Sequence, residues 1–507
     1  MLIMKSNVKT IILLLALLIL LPACTMGGTP EVPGAEIPST GEMALQTPTN
    51  SPGIVPPTYT NTPIPPTPTD TPLPPTVTHT PAPTSLNTHG PYLMFRAHNG
   101  IWITNPDGTF PTRLSDVEIT SAVDLRLNIS PTGDRLALVI SNDQGLDLVL
   151  VQIPGGEAET ITHLIDSPPS GALYDPTSAN SFATYAIRDF NGIAWQPGGG
   201  RLLAFVGATN GPTADLYLYD TQTGEITQLT DGPAQAVLPV WSPDGQYILH
   251  YGVSWVPPFG GAIVGPNRLD GVWAVRVSDG TVISLPRPSG SLPNFVGWQD
   301  DSHYITYDPG DCYSENLRAV DIATGEATPI MENSFWHNIA QSPQNGALLF
   351  SSVAGCPSSL GDGIFLLLPG QTTATRLYDV KAWEISWMPE SRVFNAYPEG
   401  LFTSDGQTRY EPPVYEASYE PAVSMAGYQA WSVSQNQVRH VMVRVPGGEW
   451  HEIFTGSIAD LIWDPVDGST LLIILEDGSI QAASYPDFSP RLISSLGAGV
   501  MQVIWSP

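Results

Sequence analysis

Residues able to do covalent or acid–base chemistry are thinly spread through this chain of 507 residues, which has 3 cysteines and 9 histidines. No His-Glu-x-x-His pair, Gly-x-Ser-x-Gly elbow or Gly-x-x-x-x-Gly-Lys loop occurs. The signatures of zinc hydrolysis, elbow-serine acyl transfer and P-loop phosphate binding are therefore missing. Two cysteines and scattered histidines show no ligand spacing, so neither a metal nor another cofactor is expected. Carboxylates are plentiful, with 48 Asp and Glu. A pair of them lining one channel would suit glycoside cleavage, one as acid and one as base or nucleophile. The other candidates are aromatic: Tyr174, Tyr185, Trp255, Phe259 and Tyr313 stand in stretches rich in Pro, Gly and Ser. Rings held on loops are anchors for a sugar, a peptide or another protein.

Such loops need a rigid scaffold, and the scaffold is written as a repeat. The stretch Trp241–Leu249 reads WSPDGQYIL. Pro243 presets φ for a type I turn, Gly245 takes the left-handed end of it, and an apolar strand follows. The pattern returns in partial form as LNISPTGDRLALV (127–139), IAWQPGGGRLLAFV (193–206), VGWQDDSHYITYD (296–308), IAQSPQNGALLFSS (339–352), ISWMPESRVFNAY (385–397) and LIWDPVDGSTLLII (461–474). Most copies are followed by two more strands around an Asp-rich turn, as in DLYLYDTQTGEITQLT (215–230). Four antiparallel strands per unit is the blade of a propeller. The stretch 421–454 reads as a blade without the Pro turn, which brings the count to nine, within a range of seven to nine. VIWSP at the very end is one apolar strand, and the segment 91–115 has three. Joining them closes the ring and hides both sheet edges.

The Trp-Ser-Pro-Asp-Gly turn resembles that of TolB-type, WD-repeat-like bacterial propellers, over roughly residues 91–507. The resemblance implies an all-β, single β-propeller of four-stranded antiparallel blades, in which the Trp packs between blades and the Pro-Asp-Gly makes the turn. It leaves the activity open, because one fold hosts many functions. SNDQG (141–145) is similar to the core of the Asp box of sialidase propellers, but it stands alone and reads as a turn.

The N-terminus is an address. Lys5 and Lys9 precede the apolar run IILLLALLILL (11–21), the layout of a signal peptide. LPAC, ending at Cys24, resembles the lipobox of bacterial lipoproteins. That resemblance implies cleavage before Cys24, its acylation, and anchoring on the extracytoplasmic side of the cell membrane. Between Thr47 and Thr84, 25 of 38 residues are Pro or Thr. Such a tract cannot bury a core and favours extended polyproline II. The division expected is a signal peptide at 1–23, a lipidated N-terminus and disordered Pro/Thr-rich linker at 24–90, and a propeller at 91–507. A net charge of −29 argues against nucleic acid as a partner.

In a blade, the loop between the second and third strands and the link to the next blade emerge on one face. The long segments 166–192, 207–215, 252–271, 308–317 and 352–363 all fall there, and they carry the five aromatics. Cys312 and Cys356 occupy equivalent loops of adjacent blades, where they form either a disulfide or two free thiols. These features lead to the expectation of a monomeric, non-catalytic binding or scaffold lipoprotein. It would recognise an extracellular or envelope protein, peptide or glycan through its long-loop face. The alternative is a propeller glycoside hydrolase or lyase using channel carboxylates.

Overall fold

The computed structural model describes residues 85–506 apart from 116–122, 167–178, 255–267, 287–293, 309–314, 332–337, 343–344, 353–360, 372, 383, 389–391, 398, 416, 425 and 465–467. Within them the chain forms nine antiparallel sheets, eight of four strands and one of three. Blade 1 joins the two ends of the chain: Leu93–Ala97, Gly100–Thr104 and Thr112–Ser115 pair with the last strand, Val500–Trp505, through the register Leu93↔Trp505. Blade 2 holds Arg135–Asn142, Gly145–Gln152 and Ala158–Asp166. Blade 3 runs from Ile193 to Gln228, and blade 4 from Gln235 to Leu285. Blades 5 to 9 span Asn294–Met331, Asn338–Tyr378, Glu384–Tyr410, Ala417–Thr455 and Ile458–Ser495. The nine-unit count and the closure by both termini are both present in the fold.

Each blade is sandwiched between two others, so both faces of its middle strands are buried, and the strands read as apolar runs rather than alternations. In the blade 4 strand Tyr247–Ser254, Ile248 packs with Ala204 and Leu216 of blade 3. Its neighbours Leu249 and Tyr251 join the core that includes Tyr304 and Val320 of blade 5.

The repeated Trp has a second task beyond filling that interface. The Trp195 Nε1–H donates to the Asn128 carbonyl at 2.8 Å, Trp241 to Ala194 at 2.8 Å, Trp387 to Ala340 at 3.0 Å and Trp463 to Ala422 at 3.2 Å. Trp241, Trp387 and Trp463 thus bond the inner strand of the preceding blade, and Trp195 bonds the helical turn that stands in its place in blade 2. In the first three pairs the acceptor directly precedes that blade's own anchor residue (129, 195 and 341). Gln341 replaces the Trp in blade 6 and keeps the link, its Oε1 accepting from the Trp298 N–H at 3.0 Å. The Ser-Pro-Asp-Gly turn is equally structural. The Ser242 hydroxyl donates to Asp244 at 2.6 Å and accepts from the Tyr247 N–H at 3.0 Å, and Gly245 turns at φ 68°.

Two elements differ from the sequence reading. Where blade 2 should have its inner strand, Leu125–Asn128 form one helical turn capped by Asp124, and only an Ile129↔Leu136 bridge is left of the strand. The Asp124 carboxylate takes the Arg126 N–H, a local bond that competes with strand pairing. Residues Ala179–Asp189, expected to be loop, form an α-helix instead. Ala183, Ala186 and Ile187 recur at helical spacing and are buried in the core shared by blades 2 and 3.

Candidate functional site

Of the aromatics expected on the long-loop face, Tyr185 is described; Tyr174, Trp255, Phe259 and Tyr313 lie outside the described residues, as do Cys24, Cys312 and Cys356. Tyr185 is not a loop residue. It sits half-buried on the helix Ala179–Asp189, its ring meeting Phe190 edge-on at 6.0 Å. Under the end of this helix is a shallow pocket lined by Asn128, Val139, Ile187, Phe190 and Ile193, among others. Asn128 is 1% exposed; its Nδ2 donates to the Ala137 carbonyl at 2.8 Å, while its Oδ1 has no hydrogen-bond partner. This oxygen is closed off from solvent, so it is an unsatisfied buried acceptor and not a contact open to a ligand.

Two further groups occupy this face between blades 3 and 4. Asp215, 2% exposed, accepts from the Thr213 hydroxyl (2.8 Å), the Thr230 hydroxyl (3.0 Å) and the Gly232 N–H (2.8 Å). Three donors from two loops make it the clamp of those loops rather than a free base. Close by in sequence, the Ala214 N–H donates to the Gln235 amide oxygen at 2.6 Å and ties the same loop to the start of blade 4.

The second group is built around His250. The Trp273 ring lies flat on Gly252 and Gly271, where an added Cβ would come within 2.2 and 2.6 Å of it. These glycines are what let the ring approach the sheet. His250, directly across the ladder from Trp273, stacks beside it with centroids 5.8 Å apart and planes at 20°. Neither nitrogen of this imidazole, 5% exposed, has a hydrogen-bond partner. Burial pushes its pKa down to about 4, opposed by the Tyr251 backbone. A polar residue in the middle of YILHYGV was the signal available in the sequence. The stretch otherwise reads as an ordinary buried strand.

A Ser–His–Asp grouping does occur in blade 5, but its geometry is that of a turn. The Ser302 hydroxyl donates to Asp300 Oδ1 at 3.1 Å, and His303 Nδ1 lies 2.9 Å from that same oxygen. The same Asp300 oxygen accepts the Ser302 and His303 N–H groups, each at 2.8 Å. The Ser302 hydroxyl and Asp300 both meet His303 at Nδ1, at 3.1 and 2.9 Å, and Nε2 lies 3.7 Å from Asp321, whereas a relay needs serine and a hydrogen-bonded carboxylate on opposite nitrogens. The SNDQG stretch is likewise a turn, Asn142 Oδ1 accepting the N–H groups of Gln144 and Gly145 at 2.8 and 3.0 Å.

No protein-family model matches the chain. Over 55 residues, 11% of its length, the chain is 47% identical to the Bacillus subtilis (strain 168) protein named uncharacterized peptidase YuxL, and it covers 8% of that protein. Among solved structures it is similar to dipeptidyl peptidase 4 of Porphyromonas gingivalis, with a TM-score of 0.43 and 10% identity over 80% of this chain and 58% of that one. It is also similar to a protein assigned as TolB from Agrobacterium tumefaciens, with a TM-score of 0.30 and 14% identity over 58% and 91%. These structural likenesses concern the propeller fold alone. The match to a protein named as a peptidase overturns the expectation of a non-catalytic binding or scaffold protein. The expectation failed because a propeller's sequence records its turns and cores, and these are the same in binders and in enzymes.

Proposed function

We propose that the chain acts in peptide hydrolysis, with the propeller as the part that receives the peptide. The observation that carries this reading is the 47% identity over 55 residues to a protein named as a peptidase. The chain spans less than a tenth of that relative, so the activity of the whole protein enters here as a proposal. The long-loop face supports it with half-buried aromatic surface at Tyr185 and Trp273. Apolar walls with a few placed polar groups are what hold a peptide in register.

The test is turnover. The purified full chain is incubated with a mixed peptide library, and new termini are read by mass spectrometry. New termini that grow with protein concentration are the expected result. A folded protein that leaves every peptide intact overturns the proposal. Trp255 and Phe259 are proposed for the same role, so Trp255→Ala with Phe259→Ala should raise KM more than it lowers kcat.

The address is also proposed: Cys24 carries the lipid, and the head works on the extracytoplasmic side of the membrane. Two or more acyl chains anchor stably where one is marginal. Cys24→Ala should move the protein from the membrane fraction to the soluble one; an unchanged distribution would refute the anchor.

A further inference from the structure

We propose that His163 is a charge-dependent clasp that fixes the outer edge of blade 2 to blade 3, so that this joint loosens as the imidazole loses its proton. The inference stands apart from the peptidase reading, since it concerns the scaffold on the long-loop face and not the reaction.

The geometry carries it. His163 Nδ1 lies 2.7 Å from Asp147 Oδ1, and Nε2 lies 3.1 Å from Asp166 Oδ1. A neutral imidazole has one donor and one acceptor nitrogen, so it satisfies one carboxylate and turns a lone pair toward the other. Two carboxylates on two ring nitrogens call for the imidazolium. Asp147, across the ladder on the adjacent strand, and Asp166, at the end of the histidine's own strand, are the charged groups facing the ring. Asn142 on the next strand, which does not titrate, donates to the other Asp147 oxygen at 2.5 Å. Both carboxylates raise the histidine's pKa, the hydrogen bond to Asp147 most strongly.

The clasp sits at one of the two breaks in this ladder. Pairing of Gly145–Gln152 with Ala158–Asp166 slips between Leu146 and Asp147, where Leu146 faces Ile165 and Asp147 faces His163. Leu164 is the residue bulged out, and such a residue leaves the ladder locally broken. Yet Leu164 is fully buried in the core shared with blade 3, and its carbonyl accepts the Ala208 N–H at 2.8 Å. Asp147 and Asp166 hold His163 on either side of this bulge, and the bulge in turn holds blade 3. With the imidazole neutral, one contact turns repulsive. Asp166, the longer and more exposed contact, is the one to release.

A histidine whose folded pKa is raised adds stability in full below its unfolded value, near 6.5, and loses it as the pH rises through the folded value. The test is an NMR titration of the full chain, with the His163 signal assigned by its loss in His163→Gln. The midpoint is expected above the ordinary imidazole value and should fall in both Asp147→Asn and Asp166→Asn. Exchange of the Ala208 amide, corrected for intrinsic base catalysis, should lose protection across that midpoint in the native chain and stay level in His163→Gln. A midpoint at the ordinary value, a midpoint unmoved by both Asn substitutions, or Ala208 protection that is level in the native chain would each overturn the clasp.

Discussion

Acidification from pH 6.5 to pH 4 is expected to remove about 3 kcal/mol of folding stability through His250 alone. In the fold this imidazole is buried between blades 3 and 4 and held neutral, its pKa lowered to about 4, without a partner on either nitrogen. In the unfolded chain it takes up a proton near pH 6.5. Between these values the unfolded state binds one proton more, so stability falls as pH falls; below both values the loss is complete. The upper part of the window, from pH 6.5 to about pH 5, separates His250 from the carboxylates whose pKa is lowered, among them Glu452 beside His440. Asp220, held to about 2 by Arg201 and by backbone N–H groups, comes into play below the Asp value of 3.8. His163 acts above 6.5 and with the opposite sign. The measurement is urea unfolding at intervals between pH 4 and pH 7 for the native chain and for His250→Leu, which keeps a side chain of similar bulk beside Trp273 and cannot titrate. The slope between pH 5 and pH 6.5 should shrink markedly in the variant. Equal slopes in both proteins would place the acid sensitivity elsewhere.

Trp241→Ala is expected to cost about 3–5 kcal/mol, the range for emptying a buried aromatic site. The ring is 5% exposed and fills the interface between blades 3 and 4 with Ala204, Leu216 and Ile248. The alanine also strips the Ala194 carbonyl of its 2.8 Å donor. Trp241→Phe separates the two effects: most of the packing remains, the donor is lost, and the expected cost drops to about 1–3 kcal/mol. A ring closed by blade 1 has no free end at which to absorb the loss, so the denaturation midpoint of the whole propeller should shift. A Trp241→Phe variant as unstable as Trp241→Ala would show that packing contributes little and the interblade hydrogen bond nearly everything. A Phe variant indistinguishable from the native chain would dismiss the hydrogen bond.

Both predictions rest on the join between blades, which is where the sequence is least explicit. Trp241 was legible as a repeat position, since Trp recurs at 195, 298, 387, 463 and 505 with a polar turn after most copies. Its acceptor, Ala194, lies 47 residues away and has no side-chain feature to mark it. His250 was visible as a polar letter in an apolar run, but its cost depends on what covers it, namely a Trp ring laid on two glycines and the facing side of blade 3. The helix Ala179–Asp189 was misread as loop because its apolar spacing is interleaved with Asn, Ser, Thr and Tyr, residues that read equally well as turn. Asp124 caps the helical turn that replaces the inner strand of blade 2, and a lone Asp before a short apolar stretch does not mark a cap in the sequence.

What the sequence by itself determined was the repeat, its nine copies, the turn chemistry and the ring closure. These depend on contacts within about ten residues, or on a strand left without a partner at each end of the chain. Tertiary structure alone decided which buried polar groups are satisfied and which are not. Asp215 has three donors, His250 has none, Asn128 Oδ1 lacks one, and His163 stands between two carboxylates. The reason is physical: hydrophobic burial follows residue type and is written locally, whereas a hydrogen bond depends on a partner's position to a fraction of an ångström, and here those partners come from another strand or another blade.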